Sequence, residues 1–362
     1  MVIGPDGKVP LPWLASDLRQ AISSVRGHAL LAHMSAGHGP LEFALCFAQS
    51  LLCESPPAHD AQLACGRCAS CHLVQAQLHP DLFVLLPEVD RQRLGWRLPG
   101  DRADTGESDG EGKARKKPSR QLRVDEVRLA VEWVSTSSSR GRAKVLVIHP
   151  SERLNIIAAN ALLKTLEEPP AGVRMILTAS DPAHLLPTVR SRCQRVQVKA
   201  PLPSQCLAWL LTQGVKDLQE AETLLRAAGG QPLSAAAMHR AGVSAQVWTA
   251  LPRTMMNGSV GAFAGWAVPA VVDALQRICH DAMCIAIGAE PRYFPPHGFS
   301  RVGSLPALQR WGAELSRFAR HDEHPWAEAL LLESLVAQAC TALNAGANRV
   351  PAGALAFDTL RP

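Results

Sequence analysis

Cys65-Gly66-Arg67-Cys68-Ala69-Ser70-Cys71 places three thiols at intervals of three residues, and Cys53 stands upstream at the end of a helical pattern. Four thiolates form the closed tetrahedral set that a structural zinc ion takes, with no position left open for a substrate. The C-x2-C-x2-C turn supplies three ligands from one small knuckle, and Pro56-Pro57 lets the chain return from Cys53. Soft thiolates favour zinc over magnesium or calcium. His59 or His72 is an alternative fourth ligand, and the spacing also suits an iron–sulfur cluster. The start of the chain, Met1-Val2-Ile3-Gly4-Pro5-Asp6-Gly7-Lys8, has no charged stretch leading into an apolar one. A cytoplasmic, reducing setting is therefore expected, and the ten cysteines are not expected to form a disulfide framework. Cys46, Cys206, Cys279, Cys284 and Cys340 are scattered on apolar faces and read as small core residues.

A second constellation is Met34-Ser35-Ala36-Gly37-His38-Gly39-Pro40-Leu41, which follows an apolar run and opens a helical pattern. Set against the phosphate loop G-x-x-x-x-G-K-[ST], Gly39 stands at the second glycine, but Met34 replaces the first, Pro40 the lysine and Leu41 the hydroxyl. Pro40 offers neither an N–H nor a cation, and Leu41 is apolar where a magnesium ligand belongs. Val145-Leu146-Val147-Ile148 then runs into His149-Pro150, where an active ATPase needs an acidic pair to hold magnesium and activate water. No ATP is expected to bind this chain. Taken alone, Gly37-His38-Gly39 is equally a plain turn opening a helix, and His38 and His149 are set aside as catalytic or metal-binding groups.

The elements that must carry these residues alternate. Short β-type runs at His28 to Ala32, Leu82 to Leu86, Val145 to Ile148, Met175 to Thr178 and Val196 to Val198 are separated by helical patterns, as in a parallel sheet with helices on its faces. Pro99 to Lys113 has almost nothing apolar to bury and reads as a disordered insertion near 100–120. The adjoining Lys113, Arg115, Lys116, Lys117 and Arg120 suit a solvated loop better than a dedicated phosphate site. After Ala200-Pro201-Leu202-Pro203 helical periodicity takes over. It includes Glu220 to Ala228, stopped by Gly229-Gly230, and then longer amphipathic segments at Val271 to Ile287, Leu305 to Phe318 and Pro325 to Leu343. Three domains are expected: an α/β domain over 1–200, a small helical domain over 201–243 and a larger all-α domain over 244–362. No apolar run is long enough to span a membrane. The net charge of +5 tolerates a polyanionic partner without demanding one.

Asn160-Ala161-Leu162-Leu163-Lys164-Thr165-Leu166-Glu167-Glu168-Pro169-Pro170 is, physically, a helix with Leu154, Ile157, Ala161, Leu162 and Thr165 at helical spacing, stopped by the proline pair. It closely resembles the signature of bacterial clamp-loader subunits. Thr188-Val189-Arg190-Ser191-Arg192-Cys193 resembles the Ser-Arg-Cys motif of the same family. Leu11-Pro12-Trp13-Leu14, Leu78-His79-Pro80-Asp81 and Leu122-Arg123-Val124-Asp125-Glu126-Val127-Arg128 extend the likeness through most of the first 200 residues. The last third of the chain carries it only weakly, and the insertion near 100–120 departs from the family's compact pattern.

The resemblance implies an AAA+ (P-loop NTPase-like) domain with a zinc knuckle, a small helical lid domain and a helical collar domain that oligomerises. It implies that Arg192, flanked by the motif residues Ser191 and Cys193, projects into the ATP site of a neighbouring subunit, while Arg190 and Arg195 are surface or structural. The family's ATPase members share the knuckle, the helical signature and the Ser-Arg-Cys motif. It is the spoiled phosphate loop that selects the member without ATPase activity. The partners implied are the ATPase subunits (gamma/tau), the clamp-opening delta subunit, the sliding clamp and primer–template DNA, within the holoenzyme of a DNA-directed DNA polymerase. The isolated chain is expected to catalyse nothing. The alternatives are an active clamp-loader ATPase with an unusual loop, and a zinc-dependent DNA-binding module built on the knuckle.

Overall fold

A computed structural model describes residues 1–56, 63–98, 118–320, 327–346 and 348–349. The chain separates into two compact units, Met1–Gln205 and Cys206–Pro362. Most of the insertion expected near 100–120 lies outside the described residues, as does His59.

The first unit is built on five strands, β1 (Ala29–His33), β2 (Leu82–Leu85), β3 (Lys144–Ile148), β4 (Val173–Ala179) and β5 (Gln194–Gln197). They form one parallel sheet in the order β2-β3-β4-β1-β5. β3 is buried throughout and β1 nearly so, which is why both read as unbroken apolar runs. β5 is a polar, largely exposed edge that begins two residues earlier than its apolar residues suggest.

The helices of this unit are α1 (Leu14–Ser24), α2 (Pro40–Leu52), α3 (Ala69–Gln75), α4 (Glu88–Leu94), α5 (Val124–Val134), α6 (Ile156–Glu167) and α7 (Pro187–Arg190). Because side chains alternate across a strand, Leu146, Ile148, Met175 and Leu177 meet α5 and α6 in one core. Val145, Val147 and Ile176 are left for the opposite face, where α2 lies against β3 and β4. α2 is buried on nearly every side, as its almost uniformly apolar sequence requires. On α6 the inward residues are Ala158, Ala159, Leu162, Thr165 and Leu166. Ile157, expected on the core stripe, is instead 64% exposed, because at about 100° per residue it stands on the opposite side of α6 from the buried Ala159, Leu162 and Leu166.

The second unit is helical. α8 (Pro203–Thr212), α9 (Leu218–Ala227) and α10 (Pro232–Arg240) enclose a small core that includes Cys206, Leu210, Leu224 and Ala235. Asp217 caps α9, and Gly229 and Gly230 follow it with positive φ, the conformation that ends a helix without strain. A larger core around Trp248, Leu275, Leu308 and Leu335 is enclosed by α11 (Ala245–Met256), α12 (Val268–Ala286), α13 (Leu305–Arg320) and α14 (Glu328–Asn344). A short antiparallel pair, Arg301–Val302 with Asn348–Arg349, joins it. Asp281 is fully buried and accepts N–H groups from Arg292, Tyr293 and Phe294 at 2.7–2.8 Å, which fixes the loop after α12.

Candidate functional site

The four cysteines singled out by spacing converge. Cys53 follows α2, Cys65 and Cys68 form the turn before α3, and Cys71 lies within α3. Their sulfur atoms all lie within 4.8 Å of one another. The pairs Cys53–Cys68 and Cys65–Cys71 are each 3.9 Å apart. That is far beyond a disulfide bond, and close to the edge of about 3.8 Å for a tetrahedron with metal–sulfur bonds of about 2.3 Å. The group therefore could hold one metal ion, and is too tight for the wider footprint of a multi-iron cluster. Backbone N–H groups of Cys65, Cys68 and Cys71 point at the sulfurs of Cys53, Cys65 and Cys68 at 3.3–3.4 Å. Burial pushes the Cys68 thiol up, but the Cys71 N–H and neighbouring groups outweigh it and hold the thiol at about 6. Of the alternative fourth ligands, His72 is exposed on α3 and is not in the group, and His59 lies outside the described residues.

The knuckle is fastened on two sides. On one, the Ser70 hydroxyl lies 2.8 Å from His79 Nε2, and His79 Nδ1 accepts the Asp81 N–H. Asp81 in turn accepts from the Ser138 hydroxyl and from the N–H groups of Ser139 and Arg140, which hold its carboxyl below the ordinary carboxylate value against the effect of burial. Arg140 closes the circuit by donating to Glu54 at 2.5–2.8 Å. On the other side, Gln49 brackets the backbone of Ile3 at 2.8 and 3.0 Å, and Gln75 donates to the carbonyls of Ile3 and Gly66. Gly66 has φ +73°, and a Cβ there would fall 1.8 Å from the Gly4 carbonyl oxygen. The knuckle turn thus accepts no side chain at that point.

The loop read in the sequence as a spoiled phosphate loop, Met34 to Leu41, sits between β1 and α2, at the carboxyl ends of the strands where ligands bind in open α/β sheets. Met34, Gly37, Pro40 and Leu41 are all buried. Gly39 has φ +96°, with Leu11 packed so close that a Cβ would meet its Cδ1 at 2.2 Å. Trp13 Nε1 donates to the His38 carbonyl at 2.9 Å, so the N-terminal segment is pinned onto the loop. At the end of β3, His149 Nδ1 lies 2.7 Å from the Thr178 hydroxyl. Burial, with Arg93 adding to it, pushes the imidazole down to about 4. Glu152 is the next carboxylate along the chain from β3, and it accepts the N–H groups of Ser180 and Asp181. At the position of the lysine the loop carries Pro40, and directly after β3 the chain carries His149 and Pro150, with Glu152 the first carboxylate beyond them.

Arg192 follows α7, whose Val189 is buried. Cys193 beside it is buried, donates to the Val189 carbonyl at 3.3 Å, and has its thiol pushed up to about 11 by burial. The Ser191 hydroxyl donates to Thr188 O at 3.1 Å. Arg192 itself keeps a third of its side chain exposed, donates from Nη1 to Thr188 O at 2.8 Å, and pairs through Nη2 with Glu167 at the end of α6. Sequence reading quoted Glu167 within the helical signature and His79 and Asp81 within a family-like stretch without giving any of them a task. Glu167 and Asp81 meet partners 25 to 59 positions away, and His79 meets the Ser70 hydroxyl nine positions back across the knuckle turn, pairings that carry no sequence pattern.

Residues 14–201 match a family model described as DNA polymerase III, delta subunit. The chain is 37% identical over 244 residues to the DNA polymerase III subunit delta' of Pseudomonas aeruginosa, an alignment that covers 65% of this chain and 63% of that one, somewhat less than two thirds of the relative's length. It is 30% identical over 286 residues to the DNA polymerase III subunit delta' of Escherichia coli, covering 74% of this chain and 76% of that one. The crystal structure of a DNA polymerase III gamma subunit-related protein from Thermotoga maritima aligns with 91% of this chain and 100% of its own, at 15% identity and a TM-score of 0.46.

Proposed function

The chain belongs to the family of DNA polymerase III delta' subunits, and we propose that it serves the clamp loader as a member that binds no ATP and lends Arg192 to the ATP site of a neighbouring subunit. One observation carries this reading. The positions that should supply the lysine, the hydroxyl and the acidic pair hold the buried Pro40 and Leu41 and the half-buried His149 and Pro150, none of them a cation or a carboxylate, in the same unit that keeps Arg192 accessible.

The ATPase subunits of the assembly, gamma/tau, would bind and hydrolyse the nucleotide. Arg192 would bridge γ-phosphate oxygens with its planar, permanently charged fork and offset the charge that develops on the transferring group. Cys193 anchors the turn from below and Ser191 ties it to Thr188. Zinc is the ion that the four cysteines suit, in a structural role, because four thiolates close its coordination sphere. The three-part division follows the two apolar cores of the second unit: an AAA+-like domain over 1–200, a lid over 201–243 and a collar over 244–362. The clamp-opening delta subunit, the sliding clamp and primer–template DNA are the remaining partners, the DNA held mostly through its phosphates. The chain is thus a cytoplasmic component of the polymerase holoenzyme that catalyses nothing alone.

Reconstitution with the ATPase subunits tests this directly. Arg192→Ala is expected to assemble normally and to lower clamp- and DNA-stimulated hydrolysis at the adjoining site by about 10³-fold. Unchanged hydrolysis in an intact assembly would refute the assignment.

A further inference from the structure

The side chain of Arg192 is tied at two points. Nη2 donates to Oε1 of Glu167, the last residue of α6, while Nη1 donates to Thr188 O at 2.8 Å and lies 3.5 Å from the Ser191 hydroxyl. The first contact links the helical signature to the Ser-Arg-Cys turn, 25 positions apart in the chain. We propose that Glu167 is a positioning residue for Arg192, holding the guanidinium against the end of α6 by one edge so that the rest of the fork is ready to meet a phosphate. This rests on the reading of Arg192 as an arginine given to a neighbour's site.

The contact is poorly suited to a purely structural task. The side chains of Arg192 and Glu167 retain 33% and 49% exposure, and ion pairs this open contribute little to folding stability. Its geometry suits orientation better. The single N–H on Nε and the second hydrogen on Nη2 are not engaged by Glu167, Thr188 or Ser191, so a ligand can be met without first breaking the pair. An arginine also has much rotamer freedom to lose, and fixing its end point before the encounter removes part of that loss from the reaction step. The base of the side chain is fixed as well, because Val189 and Cys193 on either side of it are buried. A carboxylate at the far end and a buried turn at the near end therefore define where the charge sits.

The opposite role, a latch that keeps Arg192 from the neighbour, differs in sign, and one set of measurements separates the two. In a loader reconstituted with its ATPase partners, clamp and primed DNA, Glu167→Ala is expected to lower stimulated kcat about fivefold while leaving KM for ATP little changed. Glu167→Gln, which keeps an acceptor oxygen in place, is expected to recover most of the rate. In an Arg192→Ala background, Glu167→Ala is expected to add nothing. A faster Glu167→Ala loader would overturn the proposal in favour of a latch. An equal loss with and without Arg192 would overturn it by showing that Glu167 acts elsewhere. A damaging Arg192→Ala with a silent Glu167→Ala would remove the positioning role alone, whereas a silent Arg192→Ala would remove the arginine assignment and this inference together. Gel filtration of each assembly and thermal melting of each chain check that the variants fold, with Glu167→Gln as the variant least exposed to that failure.

Discussion

Residue by residue, the proposed loss of ATP chemistry is a replacement of charged atoms by neutral ones. On that proposal Pro40 stands in place of the phosphate-binding cation, and His149 in place of the magnesium carboxylate. Burial pushes the His149 imidazole from 6.5 down to about 4, and Arg93 adds to the effect. A histidine kept neutral by the fold binds fewer protons than the same residue unfolded, so stability rises with pH across that window. The contribution is complete above about pH 6.5 and is lost as pH falls toward about 4. In urea denaturation between these limits, the wild type is expected to lose about 2 kcal/mol more than His149→Gln. Equal slopes in the two proteins would show that the imidazole is not held neutral.

Among the elements, the knuckle is a junction rather than an appendage, since it joins the end of α2, the start of α3 and the first four residues of the chain. Chelation of the bound metal is expected to raise hydrogen exchange in Met1–Gly4, the last turn of α2 and residues 63–75, while β1 and β3 stay protected. Uniform loss of protection across the sheet would mean that the metal supports the whole unit. Gly66→Ala, with φ +73° and the Gly4 carbonyl in the way, is expected to cost about 3 kcal/mol in chemical denaturation. A change below about 0.5 kcal/mol would show that the strap can move aside. What was legible in the sequence is local at this scale. Thiol spacing, the apolar runs of β1 to β4, and the proline and glycine stops of α6 and α9 each carry their own signal. The inward face of α6 was misjudged at Ile157 because an apolar residue in the first turn of a helix fits either side equally well. β5 was read short because an exposed edge strand needs no apolar residues at its start. The bracket of Gln49 on Ile3, the Asp81 circuit and the contact of Glu167 with Arg192 exist only once the sheet has brought distant segments together.

For the molecule as a whole, a parallel-sheet unit and a helical unit share one chain. Its own loop is fastened by Leu11 and Trp13, while its arginine is held ready at the end of a helix. The chain belongs to the delta' family; that it is a fixed part of a machine driven by other subunits is the proposal built on that membership. The central proposal is that this chain holds no nucleotide. Equilibrium titration of the purified chain with labelled ATP, with and without magnesium, tests it most directly. No saturable binding is expected up to about 1 mM, a concentration equivalent to roughly 4 kcal/mol of binding free energy. Magnesium-dependent binding of one ATP per chain at micromolar concentration would contradict it.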